Sequence, residues 1–150
     1  MGLMMRDDPP RVIDLASRHF GVPVEGLALS IKELEKEDPD QLPGLSVVLR
    51  NVGPTPLKLT VPGWIFFYEV MAIGQDGTPV PLSPFGRELL KSERKTESIP
   101  ITLAPGELHD NELPVGSLLG FKKGSGYSIG VACKIPGNVR LQSNEISLRA

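Results

Sequence analysis

The chain of 150 residues has one cysteine, Cys133. No intrachain disulfide can form, and such cysteine usage suits a reducing compartment. Charge of one sign is also missing: 16 basic residues stand against 18 acidic ones, for a net of -2, and no dense basic stripe occurs. Phosphate affinity rests on clustered Lys and Arg, so a nucleic-acid partner is not expected. Long hydrophobic runs are absent too. The longest apolar stretch, Trp64 to Ile73, is interrupted by Glu69 and falls well short of the roughly 18 residues that span a bilayer. No membrane insertion is expected. Asp7 and Asp8 lie where a secretory signal would turn hydrophobic, and position 6 is Arg where a myristoylation signal after Gly2 needs Ser or Thr. The expectation is a soluble, cytoplasmic protein, although a vector-derived start or a trimmed exported chain accounts for this N-terminus equally.

Glycine and proline are abundant. The 16 glycines and 15 prolines make up about a fifth of the chain, against roughly 12% in average proteins. Both break helices, which excludes a helical bundle or coiled coil. Hydrophobic content of 40% beside 23% charged residues is enough for a core, so the excess punctuates many short elements and does not signal disorder.

Residues 1–23 read as an N-terminal segment with a short helix. Pro10 suits the first helical turn, and Val12, Ala16 and Phe20 recur at helical spacing beside Ile13. Gly21 acts as a stop, and Pro23 prevents continuation. This face either packs on the domain or docks a partner.

From Val24 to residue 150 the period is 2. Leu27, Leu29 and Ile31 predict a strand with one buried face, and Leu45, Val47 and Leu49 a second. Glu33 to Gln41 reads as a solvated acidic loop, and Asn51 to Pro56 as a turn before the strand Leu57 to Val61. Trp64 to Ile73 is apolar on both faces, with Phe67 and Met71 on one and Tyr68, Val70 and Ala72 on the other, which predicts a central strand covered on both sides or facing a partner. Gln75, Asp76 and Gly77 signal a hairpin, and Pro79 and Pro81 make its return an edge. Pro84 to Lys95 reads as a turn of helix or an irregular connection. Ile99, Ile101 and Leu103 are expected to point inward, and Glu107 to Leu113 to form a polar edge strand. A loop through Gly116 and Gly120 follows, then the run Tyr127, Ile129, Val131, Cys133 and a last strand near Ile146 and Leu148. Eight or so short strands separated by turns favour a sandwich or barrel.

Three local patterns, Leu103 to Glu107 (Leu-Ala-Pro-Gly-Glu), Gly126 to Val131 (Gly-Tyr-Ser-Ile-Gly-Val) and Ser143 to Leu148, together resemble the last strands of bacterial immunoglobulin-like domains. Ser46 to Leu59 is similar to their second and third strands. The resemblance implies an all-β, immunoglobulin-like antiparallel β-sandwich of about seven to nine strands. In such sandwiches a Tyr near the start of the sixth strand ties it to the preceding corner, and the residue two further on points into the core. Tyr127 and Ile129 have that spacing, with Leu49 or Val47 opposite. The chain also resembles the bacterial intracellular proteinase inhibitors, which look like such sandwiches and use a Pro-Gly-Glu type turn, and that resemblance implies a binding module without naming the ligand.

Residues able to carry chemistry are few. His19 lies near the end of the expected N-terminal helix. His109 to Glu112 places four ligand-type residues together, but on a strand His109 and Asn111 face opposite to Asp110 and Glu112. Neither a metal site nor a cofactor is expected. Cys133 sits at an inward strand position, where a thiol behaves as a small hydrophobe. The reading is therefore a non-enzymatic protein-interaction module, with an intracellular proteinase inhibitor or a structural subunit of a larger assembly as alternatives, and self-association left open. The candidate surface is the end of the sandwich that gathers the approach at Val24, the loop Asn51 to Pro56 and a loop from Ile135 to Leu141. It offers Pro54, Pro56, Asn138 and Arg140, while Trp64 and Phe85 either anchor a partner there or plug the ends of the core.

Overall fold

The computed structural model describes residues 18–61, 67–91 and 99–150. Among these residues the protein is all-β, with nine strands and two short helices: β1 (Leu27–Glu33), β2 (Leu45–Asn51), β3 (Leu57–Val61), β4 (Tyr68–Gly74), α1 (Pro84–Lys91), β5 (Ile99–Leu103), β6 (Leu108–Leu113), α2 (Val115–Leu118), β7 (Gly126–Ile135), β8 (Val139–Gln142) and β9 (Ile146–Arg149). All ladders between these strands are antiparallel. One sheet has the order β1-β2-β6, and β3 pairs with β5. In the third sheet β7 carries β4 on one edge and β8 and β9 in succession on the other. Expected period-2 faces become the core: Leu27, Leu29, Ile31, Val47, Leu49, Ile129 and Val131 belong to one buried cluster.

The first sheet meets the β3-β5 pair at Asn51, which is fully buried. Its backbone N–H donates to the Glu107 carbonyl at 2.9 Å, and its carbonyl accepts from Gly106 N–H at 2.8 Å. The side-chain amide donates to the carbonyls of Thr55 at 2.8 Å and Leu103 at 2.9 Å, while Oδ1 accepts from Gly53 N–H at 2.9 Å. One residue thus ties the end of β2 to the end of β5 and to both connecting loops. Opposite it, Ala104 to Glu107 has the signature of a type II turn: Pro105 precedes Gly106 at φ 85, and Glu107 N–H donates to the Ala104 carbonyl.

A second junction joins β1 to β7. Ser143 N–H donates to the Val131 carbonyl at 2.8 Å, and Ser143 Oγ accepts from Val131 N–H at 2.9 Å. Next to it, Asn144 Oδ1 accepts from Ile31 N–H at 2.8 Å and Asn144 Nδ2 donates to the Ile31 carbonyl. The Asn144 amide substitutes for a strand at the point where the β8-β9 edge is interrupted.

Several expectations are corrected. Phe20 and His19 are not helical, and the remainder of the expected N-terminal helix lies outside the described residues. Residues 18–23 instead run back along β1, with Gly21 N–H donating to the Leu29 carbonyl and Ser30 Oγ to the His19 carbonyl. Glu25 and Gly26, at φ 54 and 82, form the tight turn between them. Gly21 is required by close approach and does not serve as a helix stop, since a Cβ there would lie 2.0 Å from the Gln142 carbonyl oxygen. The same segment helps explain why the first five residues of β1 are buried on both faces: Ala28 and Ser30 are buried, and the Arg18 guanidinium donates to Ser30 and Ser46.

The strand expected to be central is an edge. Among the described residues β4 has a ladder with β7 on one side, and on the other meets only the proline-bearing return, through Val80 N–H to the Ala72 carbonyl. Ile73 is accordingly exposed, as is Ile99, which begins β5 beyond the reach of the core. The expected loop from Ile135 to Leu141 is a hairpin, because Gly137 and Asn138 adopt positive φ and reverse the chain within residues 136–138, freeing Val139 to Gln142 to pair as β8. Among the described residues, no helix is long and apolar enough to cross a membrane.

Replacing Asn51 with Ala removes three side-chain hydrogen bonds and leaves buried partners unpaired, which is expected to cost about 3 kcal/mol of stability by urea unfolding. Asn51→Asp should cost more, since a carboxylate cannot donate to the Thr55 and Leu103 carbonyls.

Candidate binding site

The site begins with Ser83 and Pro84. Ser83 caps α1 through Gly86 N–H to Oγ at 3.0 Å, and Pro84 occupies the first helical position, where its missing N–H costs nothing. Ser83 also fixes α1 to α2: its Oγ donates to the Ser117 carbonyl at 2.5 Å, and its N–H donates to the Leu118 carbonyl at 2.9 Å. Gly86 allows this approach, because a Cβ there would lie 2.3 Å from the Leu118 carbonyl oxygen. Leu82 bridges Leu119, and Gly120 N–H donates to the Pro81 carbonyl.

Between these helices and the β4-β7 pair lies a cavity of about 580 Å³, within the size range of small-molecule sites. Its apolar lining includes Phe67, Val70, Leu82, Leu89, Leu118 and Leu119. Tyr68 and Cys133, which face each other across the β4-β7 ladder, line it as well. Tyr68 is 5% exposed, yet its hydroxyl has no hydrogen-bond partner. Burial raises the Tyr68 ionisation well above the usual phenol range, with Cys133 and Asp110 adding to the effect. Burial likewise pushes the Cys133 thiol up to about 12. Both groups are therefore neutral at physiological pH.

Charged lining residues lie on the other face of the sheet. Arg140 pairs with Glu69 at 2.8 Å across β7 and donates to the Met71 sulfur. Both side chains of this pair are largely solvated, so it contributes little to stability. Lys134 is exposed beside it.

The expected site residues are distributed differently. Pro54 and Pro56 are exposed in the loop after Asn51, and Val52 N–H donates to the Gly26 carbonyl, so this loop and the approach to β1 do share an end. Asn138 occupies the exposed β7-β8 turn, whereas Arg140 lies within β8 and borders the cavity. Phe85 is 54% exposed on α1. Trp64 lies outside the described residues. Among the described residues no hydrogen bond or ion pair joins Pro54, Pro56, Phe85, Asn138 and Arg140 to one another. His109 and Asn111 face Leu49 and Val47 across the ladder, and Asp110 and Glu112 point the other way, as strand alternation requires. No group of three metal-ligating side chains occurs among the described residues.

The cavity was not anticipated, since two of its walls, α1 and α2, come from segments read as a short or irregular connection and as a loop, and no local pattern showed that they would pack against β4 and β7. The Ser83-Pro84 cap and the Leu89 and Leu90 pair were the available signals for α1.

Cys133 sets a pH dependence. The unfolded thiol ionises near its ordinary 9.0, while the folded one holds its proton to about 12, so the unfolded state binds fewer protons in that window and stability falls as pH rises through it. Urea unfolding is expected to show full stability below about pH 8.5 and progressive loss above about pH 9.5, a loss that Cys133→Val reduces. No protein-family model matches the chain, and no curated protein matches it either.

Proposed function

We propose that the protein is a recognition module that binds a protein partner and does not transform it, built on an immunoglobulin-like sandwich. The observation that carries this reading is α1, which leaves Phe85 54% and Leu90 45% exposed on a helix held rigidly by Ser83 and Gly86. Large apolar side chains fixed on a rigid element anchor interfaces, because their removal from water is favourable and little conformational freedom is lost. The non-catalytic side of the reading is supported by Cys133, whose buried and protonated thiol is a poor nucleophile.

The immunoglobulin-like side is supported by Tyr127. Its hydroxyl accepts from Lys122 N–H at 2.7 Å, tying the start of β7 to the preceding corner, and Ile129 two residues on is fully buried. This reading places the partner surface at α1 and leaves Pro54 and Pro56 outside it.

Incorporating a benzophenone amino acid at Phe85, and separately at Pro56, tests the assignment in producing cells. Irradiation is expected to give a discrete protein adduct from position 85 and little from position 56. Adducts from position 56 alone, or none above background from position 85, would show the α1 assignment to be wrong.

A further inference from the structure

Beyond the α1 surface, the cavity behind it has an unexplained feature. Buried phenol hydroxyls normally find a hydrogen-bond partner, because leaving one unpaired forfeits its hydration with nothing in return. Tyr68 lines the cavity, is nine-tenths buried or more, and its hydroxyl has none. The space beside it is large enough for an organic ligand and is walled chiefly by leucine, valine and phenylalanine side chains.

We propose that this cavity binds an uncharged, predominantly apolar small molecule whose carbonyl or hydroxyl oxygen hydrogen-bonds with the Tyr68 hydroxyl. The apolar walls select the body of the ligand, since burying hydrocarbon against them is favourable in proportion to area. Tyr68 selects its one polar atom, being able both to donate and to accept. Charge is disfavoured at the inner end. Tyr68 and Cys133 are both held neutral by the same surroundings, so they supply no counter-charge, and a desolvated ion without one is strongly penalised. The charged groups that border the cavity do not offset this. Glu69 and Arg140 already satisfy one another in solvent, Lys134 is exposed, and Asp110, whose charge acts on Tyr68, opposes an anion there.

Methyl octyl ketone and decanoate have the same number of carbon atoms and differ in charge, which makes them suitable probes. Each would be titrated into the full chain and followed by heteronuclear NMR. The ketone is expected to give saturable shifts at the amides of Leu89, Leu119 and Cys133, and decanoate to bind at least roughly tenfold more weakly. Tyr68→Phe should weaken the ketone about fivefold through loss of one hydrogen bond. Because a core substitution can disturb folding, Leu90→Trp provides a second variant. Leu90 lines the cavity and is partly exposed, so an indole there should obstruct the cavity and weaken the ketone by a similar factor.

The proposal fails if the ketone gives no saturable shifts up to its solubility limit, or if decanoate binds as tightly as the ketone. It also fails if Tyr68→Phe, with its amide spectrum otherwise retained, binds the ketone like the wild type, or if Leu90→Trp does. These readouts are made on the isolated protein, so they do not depend on any partner at α1.

Discussion

The bonded atoms of Asn51 are the constraint on which the arrangement of the sheets depends. The residue is fully buried, and its backbone and side chain together make five hydrogen bonds to three other stretches of backbone. A buried amide is stabilising only when satisfied in this way; with partners missing, its desolvation would oppose folding. Satisfaction requires the loop after β2, the end of β5 and the turn before β6 to meet at one point. The β2-β6 and β3-β5 ladders therefore begin on opposite sides of a single corner, and their registers are linked through it.

A second amide acts in a similar way at the other junction. Asn144 bonds to both backbone groups of Ile31, while its neighbour Ser143 bonds to both those of Val131. These side chains close a gap that the β8-β9 interruption would leave between β1 and β7. The interruption in turn allows one edge of β7 to take two partners along its length, with β9 at its start and β8 at its end. The ladder of β7 with the start of β4 brings Cys133 opposite Tyr68 to the cavity, and the reach of β7 past that point adds Lys134. Rigid attachment of α1 to α2 completes its wall.

Much of the strand map was legible because alternation records one-sided burial. Val47 and Leu49, Ile129 and Val131, and Ile146 and Leu148 all lie on strands where their period places them. Alternation was silent about who covers a strand. Ala28 and Ser30 look like a solvent face and are buried, while Met71 and Ile73 look like a core face and belong to an edge strand. Helical spacing misled at Gly21, read as a helix stop, whose small size answers to a carbonyl more than a hundred residues away in sequence. Of the candidate site, Phe85 was identifiable as an exposed aromatic and Arg140 as a surface cation. Tyr68 was readable only as one more apolar strand position, because an unpaired hydroxyl is defined by its surroundings.

By itself, then, the sequence determined the all-β class, most strand positions and the turns at Pro105-Gly106 and Gly77, since each follows from local steric preference and local burial pattern. The tertiary structure alone decided which strands became edges, where Asn51 and Asn144 found their partners, and that α1, α2, β4 and β7 should enclose a cavity. Hydrogen-bond satisfaction and enclosure depend on atoms brought together from distant parts of the chain, and no local pattern encodes them.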